Sequence, residues 1–162
     1  MLKVKLKLSK PYYENYLRFV FNCPSGPVII SRNNALGKFI SSQISESYLP
    51  VPDNDGISLS VPIRPLYALQ NKYLYFTDWR MRQINDAIEF YIDFHIREYS
   101  LIAEEKRYHF KTMYELFLSQ LNLENNPDYY EMFKKRNYRR RKMMSSFFFN
   151  GIHLLVNQSS KK

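Results

Sequence analysis

The sequence predicts an α+β fold: a small, mostly antiparallel sheet in the N-terminal half, followed by a helical C-terminal half that ends in a helix-turn-helix-like basic helix. Three observations predict it. Leu2 to Leu8 and Ile57 to Ile63 alternate apolar and polar residues with period two. From Thr77-Asp78 onward the apolar residues recur at three- and four-residue spacings. Seven basic residues then crowd nine positions between Lys134 and Lys142. The 162 residues fit one domain, with a mainly β subregion carrying one helix over 1–76 and a mainly helical, basic subregion over 77–162.

In chain order, Leu2, Val4, Leu6 and Leu8 against Lys3, Lys5 and Lys7 predict a strand with one buried face. The lysines read first as protection of an edge strand and second as a phosphate-contacting ribbon. Tyr16 to Phe21 and Pro27 to Ile30 flank Cys23-Pro24-Ser25-Gly26 and predict a hairpin. Ser31 or Asn33 can cap a helix to about Ile44, with Leu36, Phe39, Ile40 and Ile44 on one face. Tyr48 to Gly56 has loop chemistry throughout. The strand Ile57 to Ile63 contains Pro62, which predicts an edge position, and Lys72 to Phe76 predicts the last strand.

Beyond Thr77 a long helix, Asp78 to Lys106, presents the stripe Ile84, Ile88, Tyr91, His95, Tyr99 and Ile102. A shorter helix, Phe110 to Leu121, carries Met113, Phe117 and Leu121 on one face; Asn122 to Pro127 breaks it, and Asp128 opens the basic helix, which runs to Met144. Phe147 to Phe149 and Ile152 to Val156 predict either a packed arm, against this chain or another copy of it, or a strand returning to the sheet.

Composition narrows the function classes. Apolar residues at 45% and charged residues at 24% favour a packed core over disorder. The single Cys23 excludes an internal disulfide and multi-cysteine zinc frameworks, and a lone thiol fits a reducing compartment. No apolar stretch suits a signal peptide or a membrane span, so a soluble, cytoplasmic protein is expected, with no membrane partner. The net charge of +9 is unevenly placed: 12 Lys+Arg face 11 Asp+Glu up to Glu105, but 12 face 4 from Lys106 onward. Such asymmetry makes a local positive field suited to a polyanion.

The basic helix concentrates that field. At about 100° per residue, Tyr130, Phe133, Asn137 and Met144 gather on one side and Lys135, Arg139 and Lys142 on the other, with Arg136 at the flank. The expected nucleic-acid contacts are Lys134, Lys135, Arg136, Tyr138, Arg139, Arg140, Arg141 and Lys142. Tyr129 and Tyr138 can stack on bases, whereas Tyr130 suits the core. Self-repulsion of this density, with Glu131 the nearby counter-charge, points to an external polyanion, and DNA is favoured over RNA. The rival expectation is an assembly adaptor or virion component whose basic helix and Phe-rich tail dock on a protein partner, or a homo-oligomer.

Tyr114-Glu115-Leu116-Phe117-Leu118, Asp128-Tyr129-Tyr130 and Asn137-Tyr138-Arg139-Arg140-Arg141 together resemble the C-terminal regions of small uncharacterised, DNA-binding-like proteins of Bacteroidetes prophages and mobile elements. The resemblance covers the last third of the chain and carries no catalytic motif. It implies DNA binding in a phage or mobile-element setting, inside a bacterial host cell.

For an enzyme the candidates are Glu89, Asp93 and His95 on the long helix, with His109 and His153. Glu89 and Asp93 stand one turn apart, as acid/base or metal pairs require, but His95 falls away from them. No phosphate loop, zinc cluster or nucleophile elbow accompanies them, and Ser31, Ser41 and Ser42 have no evident base. The reading is therefore a binding protein, not an enzyme, with no cofactor and no metal. Tyr48, Tyr67 and Trp79 offer an aromatic surface, although Trp79 near a helix start reads more simply as a core anchor.

Overall fold

The computed structural model describes residues 2–52, 54–61 and 72–139. Its elements run β1 (Leu2–Leu6), α1 (Tyr12–Val20), β2 (Val28–Ile29), α2 (Ala35–Ser42), β3 (Ser45–Ser47), β4 (Ile57–Val61), β5 (Tyr73–Tyr75), α3 (Asp78–Lys106) and α4 (Phe110–Gln120). A further helix, α5, occupies residues 127–139. The architecture is α+β, with a three-stranded sheet ordered β1-β4-β2 and a separate pair, β3-β5. β1 runs antiparallel to β4 and β2 parallel to it. Among the described residues no helix is long and apolar enough to cross a membrane.

Pairing register explains the alternation of the sheet. Val4, Leu59 and Val28 are aligned across the three strands, and all three are buried. The neighbouring row, Lys3, Ser60 and Ile29, belongs to the opposite face, where Lys3, Lys5 and Ile29 are exposed. Gly56 precedes β4 where its backbone meets the Leu6 carbonyl group, so a side chain there would collide with main chain. The expected edge position belongs to β1, not β4. β4, Ile57–Val61, lies at the sheet centre between β1 and β2, and Pro62 lies outside the described residues. Ile63 lies outside the described residues.

The predicted hairpin is replaced by a helix. Tyr16 to Phe21 does not form a strand: Tyr12–Val20 is α1, and its buried side chains Tyr12, Tyr13, Tyr16 and Leu17 follow helical spacing. Pro11 supplies a preset backbone at the start, and Glu14 pairs with Arg18 one turn on at 2.7 Å. β2 consequently pairs with β4 and not with this segment, and the described residues among the first 76 carry two helices, not one. Asn34, rather than Ser31 or Asn33, caps α2, its side chain accepting from the Gly37 N–H at 2.7 Å.

By contacts the chain forms two compact units, Met1–Phe94 with Gln120–Asn122, and His95–Ser119 with Leu123–Lys162, dividing within α3. In the first, the buried side chains include Val4 and Leu6 of β1, Val28 of β2, Leu59 and Val61 of β4, and Leu36, Ile40, Ile84, Ile88 and Ile92 of α2 and α3. Asn85 fixes the chain leaving β1: its Oδ1 accepts from the Ser9 N–H at 2.8 Å, and its Nδ2 donates to the Lys7 carbonyl at 3.1 Å. In the second unit the buried side chains include Ile96, Ala103, Met113, Tyr114, Phe117, Leu118 and Phe133. The buried stripe of α3 thus continues from Ile88 through Ile92, Ile96, Ser100 and Ala103, whereas Ile102 is exposed and Tyr91, His95 and Tyr99 are half-buried. The predicted stripe slipped because the sequence offers two apolar series about a third of a turn apart beyond Ile88, and the isoleucine series wins.

Candidate nucleic-acid interface

α5 starts on a standard set of signals. Asn126 precedes it and its Oδ1 accepts from the Asp128 N–H at 3.0 Å, Pro127 occupies the first helical position, and Asp128 places a carboxylate by the helix N-terminus. The connection from α4, residues 121–126, is longer than the 3–4-residue turn of a strict helix-turn-helix.

The rotational setting of α5 is fixed by what it buries. The Phe133 ring is fully enclosed and meets Phe117 edge-on at 5.7 Å, and Phe117 in turn contacts Tyr99 at 5.3 Å. Tyr130 meets Tyr114 edge-on at 6.0 Å. One turn beyond Phe133, the buried Asn137 amide donates to Ser100 Oγ at 2.7 Å and to the Tyr114 hydroxyl. Ser100 Oγ donates onward to the Ile96 carbonyl, so a small buried polar chain ties α5 to α3 and α4.

That setting leaves Lys134, Lys135, Tyr138 and Arg139 exposed and Arg136 half-buried at the flank. Lys134 is partly engaged, 3.2 Å from Glu131 and 5.7 Å from the Tyr130 ring centre. Neither Lys135 nor Arg139 enters an ion pair among the described residues. Tyr138 is 69% exposed, with its ring available for stacking. Arg140, Arg141 and Lys142, together with Met144, Phe147 to Phe149, Ile152 to Val156 and His153, lie outside the described residues.

The residues considered for catalysis do not assemble. Glu89 accepts from Lys10 Nζ and from the buried Tyr13 hydroxyl, each at 2.9 Å. Burial, and then the bond to Glu89, push the Tyr13 hydroxyl pKa up to about 12. Burial pulls the Lys10 ammonium down, but the bond to Glu89 and its charge outweigh this and hold it above its ordinary range. Asp93 is buried on the same helix, His95 is half-buried and 3.8 Å from Glu98, and His109 is exposed. Among the described residues no group of three or more His, Cys, Asp or Glu side chains is placed to hold a metal ion. Trp79, read as a core anchor, is 60% exposed: α3 begins at Asp78, and its first buried apolar residue is Ile84. Tyr48 is also exposed, and Tyr67 lies outside the described residues.

Asn85, Asn126 and the partners of Asn137 were not foreseen from sequence. Asn85 and Asn137 act through hydrogen bonds to groups distant in sequence, whereas Asn126-Pro127-Asp128 is a local cap signal that the sequence carries. No family model, curated protein or solved structure matches the chain.

Proposed function

We propose that this chain binds nucleic acid, DNA in preference to RNA, through the exposed face of α5, and that it does so without catalysing a reaction. The observation that carries the reading is the rotational setting of α5. With Phe133 and Asn137 buried, Lys135 and Arg139 stand one turn apart on the exposed side, outside any ion pair among the described residues, with Tyr138 between them. Cations left without a carboxylate favour a phosphate backbone, whose neutralisation releases condensed counterions. The long connection before α5 favours a helix lying along phosphates over one reading base edges. The DNA-binding-like proteins of prophages and mobile elements supply the setting this reading would fit.

Mobility-shift titrations of the full chain against single- and double-stranded DNA and RNA at low salt test it. Retardation strongest with duplex DNA is expected, and the protein should purify with excess absorbance at 260 nm until salt is raised. No retardation with any of the four, together with a defined protein partner, would replace this reading with the adaptor one.

A further inference from the structure

A second unpaired group of cations lies in the first unit, on the outer face of the three-stranded sheet. Lys3 and Lys5 project from β1 beside Ser60 and Ser58 of β4, and Lys7 follows directly; all three lysines are exposed. None of the three enters an ion pair among the described residues, whereas Lys10, Lys72, Lys106, Lys111 and Lys134 each have a glutamate. Asp55, next to Gly56 at the Leu6 end of β1, is exposed and forms no ion pair with Lys5 or Lys7.

We infer that this face is a second phosphate contact for nucleic acid, made by Lys3, Lys5 and Lys7 with the Ser58 hydroxyl alongside. The inference rests on the proposed nucleic-acid binding and adds a surface to it. Side chains two residues apart on a strand repeat every ~6.8 Å, close to the ~7 Å that separates successive phosphates of one DNA strand once the ~3.4 Å axial rise is combined with the helical turn, so the Lys3–Lys5 spacing suits neighbouring phosphates. The half-buried Ser58 beside Lys5 adds a neutral donor of the kind that positions a backbone without reading sequence, whereas Ser60 is buried. An anionic membrane is the weaker match, because among the described residues of β1, β4 and β2 Ile29 is the one exposed large apolar side chain on this face and offers little to insert.

The test compares the full wild-type chain with Lys3→Gln/Lys5→Gln/Lys7→Gln and with the charge-preserving Lys3→Arg/Lys5→Arg/Lys7→Arg, using duplex DNA of about three helical turns over a range of salt. The glutamine variant should lose roughly two to three units from the slope of log affinity against log salt, and the arginine variant should keep it. In the wild type, bound DNA should protect these lysines from amine acylation. A glutamine variant with unchanged slope overturns the inference. If variants of α5 meanwhile lose slope, the proposed function stands without this second surface. An unchanged slope accompanied by higher-mass species would assign the lysines to edge protection. A wild type that binds no nucleic acid overturns both readings, and lysine-dependent binding to phosphatidylserine vesicles would then name the membrane as partner.

Discussion

His95 is half-buried in the second unit, and burial holds its imidazole below the ordinary value of 6.5, with Glu98 at 3.8 Å offsetting part of the effect. A lowered folded-state pKa means that the unfolded chain takes up the proton first as pH falls. The stability His95 contributes is therefore intact above the unfolded value and is lost as pH drops through 6.5 toward the lower folded one. His95→Gln should accordingly show a smaller fall in Tm than the wild type between about pH 7.5 and pH 5.5. Equal falls would place the pH dependence elsewhere. Asn137 makes a second prediction at this scale, because its amide serves Ser100 Oγ and the Tyr114 hydroxyl inside the protein. Asn137→Leu should destabilise by about 1–3 kcal/mol by stranding those groups, and Tyr114→Phe by about 1 kcal/mol. Urea titration of the double variant should give less than the sum of the two, since one lost bond is counted twice. Strict additivity would show that the bond between them contributes nothing.

Three helix ends share one device. α1, α3 and α4 each finish with a residue at positive φ, namely Asn22 at 50°, Arg107 at 56° and Asn122 at 52°. In each case the next N–H reaches back to a carbonyl five residues earlier: Cys23 to Arg18, Tyr108 to Ala103, and Leu123 to Leu118. Asparagine tolerates that backbone and arginine does not favour it, so Arg107→Gly should raise stability by up to about 1 kcal/mol. An unchanged or lowered Tm would contradict this. Asn122 is visible in the sequence as a break after an apolar stretch; Asn22 is not, because the segment before it reads as a strand, and Arg107 carries no signal. The same contrast explains α1. Its Tyr- and Phe-rich residues have strand propensity, but Pro11 at its start and the Glu14–Arg18 spacing outvote propensity once Tyr12, Tyr13, Tyr16 and Leu17 find a common buried side. Strands β1 and β4 were legible because period two is written in Lys3, Lys5, Ser58 and Ser60. The parallel pairing of Val28–Ile29 with β4 was not, because a two-residue strand has no period to read.

At the scale of the molecule, excess positive charge is carried by the last third of the chain, and the packing of α5 decides which of its cations meet solvent. Sequence periodicity had already placed Phe133 and Asn137 opposite Lys135 and Arg139, since a helical face follows from spacing alone. The buried polar chain that holds the face in place could not be read, because Ser100 and Tyr114 are distant in sequence. The most direct measurement is the salt dependence of duplex DNA affinity for Lys135→Ala/Arg139→Ala/Lys142→Ala, with Phe133→Ala as the comparison. Phe133→Ala should lose about 3–5 kcal/mol of folding stability by emptying a fully enclosed site. The triple variant should keep its Tm, bind orders of magnitude more weakly at low salt, and lose roughly one unit of slope for each phosphate contact removed. A folded triple variant that keeps both the wild-type affinity and the wild-type slope would contradict the assignment of α5 as the binding element.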